Sequence, residues 1–153
     1  MQKITPFLWY NDQAEEAANL YVSIFKGGKI LDVRRTGDGE DASVTAVTFE
    51  IGGQEYIAFN GGPHFTFTPA TSLFVHCDTQ AEVDYFWEKF CADGGTPSQC
   101  GWLTDKFGLS WQIIPEILGD LLSDADDERA ARAMQAMLTM SKIDIAKLKE
   151  AAG

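Results

Sequence analysis

The feature that most constrains this sequence is an order of elements that occurs twice. The first half reads as a strand (ITPFLWY), a helix, a Gly-Gly pair and three strand-like runs (KILDVRR, ASVTAVTFEI and QEYIAFN). The second half repeats this order with the strand SLFVHC, a helix, another Gly-Gly pair and the runs PSQCGWLTD and LSWQIIP. An internal duplication of a βαβββ unit explains this pattern better than two unrelated halves.

Both predicted helices have recognisable end signals. Asp12 and Glu15 have the spacing of a capping box at the start of the first helix, and Thr79 and Glu82 have the same spacing at the start of the second. Glycine adopts the left-handed backbone angles that are common at helix C-termini, and a pair of glycines ends each helix: Gly27-Gly28 and Gly94-Gly95.

Beyond Pro115 the composition becomes strongly helical. Acidic residues gather where a helix would start, and Asp144 is placed to cap the last helix, with Ile143 and Leu148 spaced as a hydrophobic staple. The prediction is one α+β domain over residues 1–153. This domain is predicted to consist of two tandem βαβββ modules and a helical extension: about 1–62 (first module), about 70–115 (second module) and about 116–153 (helical extension).

Composition and charge limit the classes of function. Hydrophobic residues make up 45% of the chain and the net charge is −11, which is typical of an acidic globular protein. An acidic surface repels phosphate backbones and no basic cluster offsets it, so we expect no nucleic-acid binding. No apolar run approaches the ~20 residues of a membrane span, and the first residues lack a signal-peptide pattern. We therefore expect a cytoplasmic protein that does not bind membranes.

The three cysteines indicate neither a disulfide framework nor a zinc ribbon. Cys77, Cys91 and Cys100 are odd in number and form no CxxC pair. We expect buried free thiols, since free cysteine packs like a small apolar residue. Cys100 is also a weak candidate nucleophile, because nothing in the sequence places a base beside it.

Three segments together resemble one known family: NGGPHFTFTPATSLFV, GWLTDKFGLSWQIIP and AARAMQAMLTMSKIDIAKLKEAA. They resemble the PhnB-like branch of the vicinal oxygen chelate superfamily, which includes glyoxalase I, fosfomycin-resistance proteins and extradiol dioxygenases. Members of that branch are often labelled 3-demethylubiquinone-9 3-methyltransferase domains. The resemblance implies two βαβββ modules that build a curved, half-open sheet around a cleft, usually in a homodimer.

The glycines argue against methyl transfer. A typical methyltransferase binds S-adenosylmethionine on a Gly-rich loop between the first strand and helix of a parallel sheet. Of the four Gly-Gly pairs here, two end helices and two fall in predicted turns between strands, so none follows a strand and opens a helix.

Enzymes of the superfamily hold a divalent metal with His, Gln or Glu side chains from the first and last strands of each module. By resemblance, these ligand positions fall at Thr5, at Ala58 or Asn60, at Ser72 and at Gln112. Neutral hydroxyl and amide groups leave a divalent cation short of charge and of good donors. We therefore predict that the metal site is absent and that no cofactor is held.

Strand alternation predicts which side chains line the implied cleft. The candidate ligand-binding residues are aromatic or polar side chains on one face of these strands or in the Gly-Gly-Pro turn: Phe7, Trp9, Tyr56, Asn60, His64, Phe74, His76, Trp102 and Gln112. Trp111 and Ile113 are left to pack under a helix. This lining suits a flat or apolar small molecule oriented by Gln112, Asn60 and a histidine. The alternative is that the aromatic side chains fill the interior and leave no cavity.

The two histidines are the candidate general bases, because imidazole is the side-chain group that can gain or lose a proton near neutral pH without special surroundings. His76 is predicted to be a hydrogen-bonded residue of the cleft wall, with no acid evident beside it from spacing. His64 is either an ordinary turn residue or a ligand contact. Asp105 and Lys106 precede Phe107-Gly108 and predict a hairpin turn with solvated charges.

Three functions follow as alternatives. The first is a metal-free PhnB-like protein that sequesters or senses an apolar or aromatic small molecule. The second is an enzyme of the same fold (a lyase, isomerase or oxygenase) with an atypical metal site. The third is a dimeric interaction module without a ligand cavity. The residues at the metal positions favour the first alternative over the second.

Overall fold

The computed structural model describes residues 2–153, except for the side chain of Asp41. The strands in this range are β1 (Phe7–Tyr10), β2 (Lys29–Thr36), β3 (Ser43–Ile51), β4 (Gln54–Asn60), β5 (Ser72–Cys77), β6 (Thr96–Pro97), β7 (Trp102–Thr104) and β8 (Ser110–Pro115). The α-helices are α1 (Ala14–Ile24), α2 (Gln80–Cys91), α3 (Glu116–Leu122), α4 (Asp127–Leu138) and α5 (Ile145–Ala152). The chain divides after Phe67 into two compact units. Within residues 2–153, no helix combines the length and apolar character needed to cross a membrane.

In the first module, four strands form one open mixed sheet with α1 on one face. The strand order is β1-β4-β3-β2, with β1 parallel to β4 and the other neighbours antiparallel. The ring centroid of Tyr21 on α1 lies 5.8 Å from that of Phe49 on β3, and both side chains are fully buried. Burying an apolar side chain of this size contributes about 1.5–3 kcal/mol, so this contact anchors the helix to the sheet.

The start of α1 differs from the sequence prediction. The N-cap residue is Gln13, and its side chain accepts no hydrogen bond from the first turn. Instead, Asn60 Oδ1 at the end of β4 accepts a hydrogen bond from the Ala14 amide at 2.8 Å. The capping box predicted at Asp12 and Glu15 is wrong, because a residue distant in sequence supplies the acceptor that helix N-termini need.

The second module repeats this arrangement, so the predicted duplication and the α+β fold class are confirmed. Its strand order is β5-β8-β7-β6, again with the first strand parallel to the last. On the face covered by α2, the rings of Phe90 and Trp111 stack with centroids 4.3 Å apart. The predicted cap of α2 is also confirmed. The Thr79 side chain accepts a hydrogen bond from the Glu82 amide at 3.2 Å, and Glu82 Oε1 accepts one from the Asp78 amide at 3.1 Å.

The two helix-ending Gly-Gly pairs play equivalent parts in the two modules. The first glycine of each pair has a left-handed φ, +79° at Gly27 and +105° at Gly94. The second glycine lies against the last turns of the helix before it. A Cβ atom would be 2.5 Å from a backbone carbonyl oxygen of α1 at Gly28, and 1.9 Å from one of α2 at Gly95. Each pair thus combines a backbone angle that favours glycine with a close approach that only glycine permits.

The run PSQCGWLTD does not form the single strand that was predicted. It contributes only the end of β6 and the short strand β7. Between these strands, Cys100 and Gly101 have φ values of +59° and +85°. Residues with left-handed φ cannot continue a strand, so the chain turns here.

The turn from β7 to β8 is built around a buried carboxylate. Asp105 is 3% exposed. Its Oδ1 accepts hydrogen bonds from the Phe107 and Leu109 amides at 2.9 and 3.0 Å, and its Oδ2 accepts one from Trp111 Nε1 at 2.9 Å. The predicted hairpin turn is confirmed, whereas the prediction that Asp105 is solvated is wrong. Three N–H donors replace water around the carboxylate, which makes its burial tolerable.

The helical extension packs around the end of β8 as an apolar cluster. The cluster combines side chains of β8, α3, α4, α5 and the α4–α5 connection: Ile114, Leu118, Leu121, Ala133, Met140, Ile143, Leu148 and Ala152. Asp144 caps α5 as predicted, and Asp126 caps α4 within the acidic run. The amides of Cys100 and Gly101 donate hydrogen bonds to the carbonyls of Met140 and Ser141, each at 2.8 Å. The extension is therefore joined to the second module by backbone pairing as well as by apolar packing.

Candidate ligand-binding faces

The first module has an aromatic surface on the sheet face opposite α1. Parallel pairing of β1 with β4 places Phe7 beside Ile57 and Trp9 beside Phe59. The ring centroid of Phe59 lies 5.1 Å from that of Phe7 and 5.2 Å from that of Trp9, and Phe65 packs edge-on against Trp9 at 5.0 Å. Phe7 and Phe65 are 56% and 65% exposed. We call this set of five residues the aromatic face.

The loop after β4 fixes the indole of Trp9. Its Nε1 donates a hydrogen bond to the Gly62 carbonyl at 3.0 Å. Gly61 lies so close that a Cβ atom there would be 2.3 Å from two carbons of the indole ring. Because the chain itself satisfies the only donor of the indole, the ring offers apolar contact to a bound molecule.

Tyr56 and Asn60 lie on the other side of the same sheet. Ala58 pairs with Leu8 under α1, and strand alternation puts Tyr56 and Asn60 on that side too. Tyr56 stacks on Phe49 with ring centroids 5.4 Å apart, and burial raises the pKa of its hydroxyl. Asn60 uses Oδ1 to cap α1 and Nδ2 to donate to a carbonyl of β3 at 3.1 Å. The prediction that these two residues share a face with the β1 aromatic residues is wrong.

In the second module, four of the predicted residues do share one face, opposite α2. Phe74 on β5 and Trp102 on β7 pair with Gln112 of β8 from either side, and His76 follows Phe74 on the same face. Gln112 Nε2 donates a hydrogen bond to Ser72 Oγ at 3.0 Å. The ring centroids of Phe74 and His76 lie 4.7 Å apart, and Phe74 is 48% exposed. We call these five residues the mixed face, since it combines aromatic rings with an amide, a hydroxyl and an imidazole.

The histidines lie in different surroundings. His76 Nδ1 lies 3.5 Å from Glu116 Oε1, and the two side chains are 70% and 61% exposed. Sequence reasoning missed Glu116. The available signal was the parallel register, which places His76 beside Ile114, two residues before Glu116. His64 lies in an exposed turn, where both of its predicted roles remain open.

The side chains at the expected metal positions do not fit a divalent cation. Ser72 and Gln112 are both neutral and hydrogen-bonded to each other. Both amide atoms of Asn60 are engaged by backbone groups, and Ala58 has no side-chain donor atom. Divalent transition metals in proteins are held by imidazole, thiolate or carboxylate ligands. Among the described side chains of residues 2–153, which exclude that of Asp41, no group of three or more His, Cys, Asp and Glu residues is placed to hold a metal ion. The donor chemistry therefore disagrees with that of the superfamily's metalloenzymes.

All three cysteines are free, but only Cys77 is buried, so the expectation of buried thiols is wrong for Cys91 and Cys100. Burial raises the pKa of the Cys77 thiol to about 12, with smaller contributions from the carboxylates of Glu82 and Asp78. Burial also raises the pKa of the Cys91 thiol.

We expect Cys77 to resist alkylation in the folded protein. The thiolate is the reactive form, and at about pH 8 a thiol with this pKa is ionised to only about 10⁻⁴. Iodoacetamide should label the partly exposed Cys100 first and Cys77 only after unfolding in urea, as read by peptide mass spectrometry. Labelling of Cys77 in the native protein as fast as Cys100 would contradict this expectation.

Comparisons with known proteins identify a family and several similar solved structures. The family model described as 3-demethylubiquinone-9 3-methyltransferase matches residues 2–114. The chain belongs to this family. Among solved structures, the PhnB protein from Bacillus cereus is 38% identical, with a TM-score of 0.67 and coverage of 74% of this chain and 99% of that one. Protein PA1353 from Pseudomonas aeruginosa is 20% identical, with a TM-score of 0.63, and the match covers 76% of this chain and 98% of that one. A glyoxalase/bleomycin resistance protein from Albidiferax ferrireducens T118 is 15% identical, with a TM-score of 0.47, and the match covers 72% of this chain and 95% of that one. No curated protein matches the sequence.

The resemblance to the PhnB-like family described as 3-demethylubiquinone-9 3-methyltransferase is thus confirmed. The match ends at residue 114, inside β8, so the helical extension lies outside the family model. The resemblance that was drawn for the extension stays a prediction.

The methyltransferase in the family's description does not fit the loops of this PhnB-like chain. The connection from β1 to α1 is Asn11-Asp12-Gln13 and contains no glycine. The predicted places of the Gly-Gly pairs are confirmed, since two follow helices and two follow strands that lead to other strands. A Gly-rich turn from strand to helix, on which S-adenosylmethionine is typically bound, is therefore missing from the three strand-to-helix connections in residues 2–153, which are β1–α1, β5–α2 and β8–α3.

Proposed function

We propose that this PhnB-like chain binds an apolar or aromatic small molecule and releases it unchanged. The aromatic face carries the proposal. Its rings contact one another, and Phe7 and Phe65 remain more than half exposed. Soluble proteins rarely leave contiguous apolar surface exposed, and such patches mark sites of interaction. Aromatic rings supply large contact areas in well-defined orientations, which suits an aromatic ligand.

The mixed face supports the same proposal with a different chemistry. Phe74 and Trp102 offer rings, while Gln112, Ser72 and His76 offer neutral or weakly basic hydrogen-bonding groups. Ligand sites typically combine an apolar lining with a few polar groups that fix orientation. For a ligand on this face, we assign apolar contact to the rings and orientation to the Gln112 amide and the His76 imidazole.

The test uses N-phenyl-1-naphthylamine, a neutral apolar dye whose fluorescence rises on binding. The wild-type protein should bind this dye saturably. In the variant Phe7→Ser/Phe65→Ser the dissociation constant should rise by at least about 10-fold, because two exposed rings are lost from the aromatic face. Both side chains project into solvent, so the fold should be retained. Tyr85→Ser is the matched control, since Tyr85 is also exposed but lies on α2.

The dye titrations show whether the aromatic face is the binding site. Unchanged dye binding in Phe7→Ser/Phe65→Ser, or an equal loss in Tyr85→Ser, would remove the aromatic face as the binding site. Gln112→Ala tests the mixed face in the same titration.

Native mass spectrometry of the purified protein would reveal any retained small molecule. The same spectra would test the homodimer, which stays a prediction.

One observation favours a second function, acid–base catalysis as in an isomerase or lyase. His76 lies beside the Glu116 carboxylate and on the same face as Gln112, so it could exchange a proton with a ligand bound there. The two functions differ in the fate of the bound molecule. Recovery of an altered molecule with wild type, and of an unaltered one with His76→Gln, would replace simple binding by catalysis.

A further inference from the structure

The helical extension forms a groove against the start of α2. The groove has a volume of about 780 Å³ and is lined by the first turns of α2, the end of α4, the α4–α5 connection and α5. This volume lies in the range of small-molecule sites, about 300–1,000 Å³. Ten of its twelve lining residues fall between residues 136 and 149, beyond the end of the family match at residue 114. Most of the groove, with the exception of its α2 wall, therefore lies in a part of the chain that the family model does not include.

We propose that this groove binds a small organic carboxylate with an apolar body. Its shape is fixed by one side chain that joins two elements. Gln80 Nε2 donates a hydrogen bond to the Ile143 carbonyl at 3.0 Å, and Gln80 Oε1 accepts one from the Ile145 amide at 2.8 Å. Because Gln80 spans α2 and the start of α5, the groove exists before any ligand arrives. A preformed site avoids part of the entropic cost of binding.

The charges that line the groove leave a positive surplus. Asp84 lies 2.8 Å from Lys142 Nζ, and hydrogen bonds from Lys142 and Gln80 lower the pKa of its carboxyl group. The Asp144 carboxylate accepts a hydrogen bond from the Lys147 amide at 3.1 Å. Both acids are thus engaged within the protein. The ammonium groups of Lys147 and Lys149 form no ion pair with any other described side chain, a set that leaves out Met1 and Asp41.

The same groove offers apolar contact beside these ammonium groups. Ala136, Met140 and Ile145 line it. Ile145 and Lys149 are four residues apart on α5, and side chains at this spacing lie on one helix face. An alkyl or aryl body can therefore lie along Ile145 while its carboxylate meets Lys149. The overall charge of −11 repels anions from most of the surface, so an anion would need such a local site.

The experiment titrates isotope-labelled protein with octanoate and follows amide and indole resonances by NMR. We expect saturable shifts at the amides of Ile145, Ala146 and Lys147, with the indole signals of Trp9 and Trp102 unchanged. The Lys147→Ala/Lys149→Ala variant should bind at least about 10-fold more weakly. The control Lys3→Ala/Lys26→Ala makes the same charge change at exposed positions of the first module and should bind like wild type. Neutral octanamide should bind at least about 10-fold more weakly than octanoate.

Several results would overturn the proposal. One is the absence of saturable shifts up to about 10 mM octanoate. The others are octanamide binding as tightly as octanoate, and octanoate binding to Lys147→Ala/Lys149→Ala as tightly as to wild type. Shifts confined to the tryptophan indoles would place octanoate on the sheet faces and reject the groove. Octanoate contains no aromatic ring and the dye used for the sheet faces has no charge. Failure of one proposal is therefore distinguishable from failure of the other.

Discussion

Replacing Gly95 with alanine is expected to destabilise the second module by about 3 kcal/mol or more. A Cβ atom at this position would lie 1.9 Å from the Phe90 carbonyl oxygen and 2.8 Å from the Cys91 Cα. Both neighbours are backbone atoms at the end of α2, so no side-chain rotation can relieve the overlap. Either the helix must lose its last turn or the chain that leads to β6 must shift. With a typical total stability of about 5–15 kcal/mol, this is a large fraction.

Gly119→Ala is the matched control in the same compact unit. Gly119 lies inside α3, and a Cβ atom there would meet nothing within 4 Å. Alanine favours helix over glycine, so this variant should be more stable than wild type by about 0.5–1 kcal/mol. Urea unfolding followed by circular dichroism measures both changes. Equal midpoints for Gly95→Ala and wild type would show that the close approach at the end of α2 is not required. Gly28→Ala extends the test to the first module, where the overlap is again with backbone atoms.

Asp105→Ala should cost about 3 kcal/mol or more, through a different mechanism. The carboxylate is 3% exposed and accepts three hydrogen bonds, one of them from the indole of the fully buried Trp111. Alanine would leave the Leu109 amide and the Trp111 Nε1 in a buried environment without their acceptor. An unsatisfied buried donor costs about 1–3 kcal/mol, which sets the size of the expected effect.

Two further variants test whether the lost hydrogen bonds of the Asp105 carboxylate cause this destabilisation. Asp120→Ala removes the same group from an exposed position on α3 and should change the free energy of unfolding by no more than about 0.5 kcal/mol. Trp111→Phe removes one of the three donors. A double-mutant cycle with Asp105→Ala should therefore show a coupling of at least about 1 kcal/mol. Additive effects of the two substitutions would mean that the hydrogen bond contributes little to stability.

Local sequence patterns predicted β5 and β8 of the second module well because these two strands alternate clearly. In β8, the polar Gln112 stands between Trp111 and Ile113, so one face is apolar and the other is not. The assignment of Phe74, His76, Trp102 and Gln112 to one face follows from this alternation and is confirmed by the strand register. Caps with near neighbours as partners, at Thr79 and Asp144, were also predictable.

The first module shows why alternation alone is not enough. Tyr56, Ile57, Ala58 and Phe59 are apolar or aromatic at four consecutive positions of β4, so both faces of that strand qualify as a core face. The pairing of Leu8 with Ala58 determines which face of β4 is buried. Leu8 packs under α1, and its partner Ala58 therefore lies on the same side of the sheet. A pattern with a period of two residues cannot choose a face when every position is apolar.

The sequence by itself determined the order of elements, the duplication of the βαβββ unit and the glycine pairs that end its helices. These features depend on residues a few positions apart. Only the tertiary structure decided that Asn60 caps α1, that Glu116 lies beside His76 and that Gln80 holds α5 in place. Each of these contacts joins different secondary-structure elements. The register of the strands and the packing of the helices set their distances, and neither leaves a signal in the local sequence.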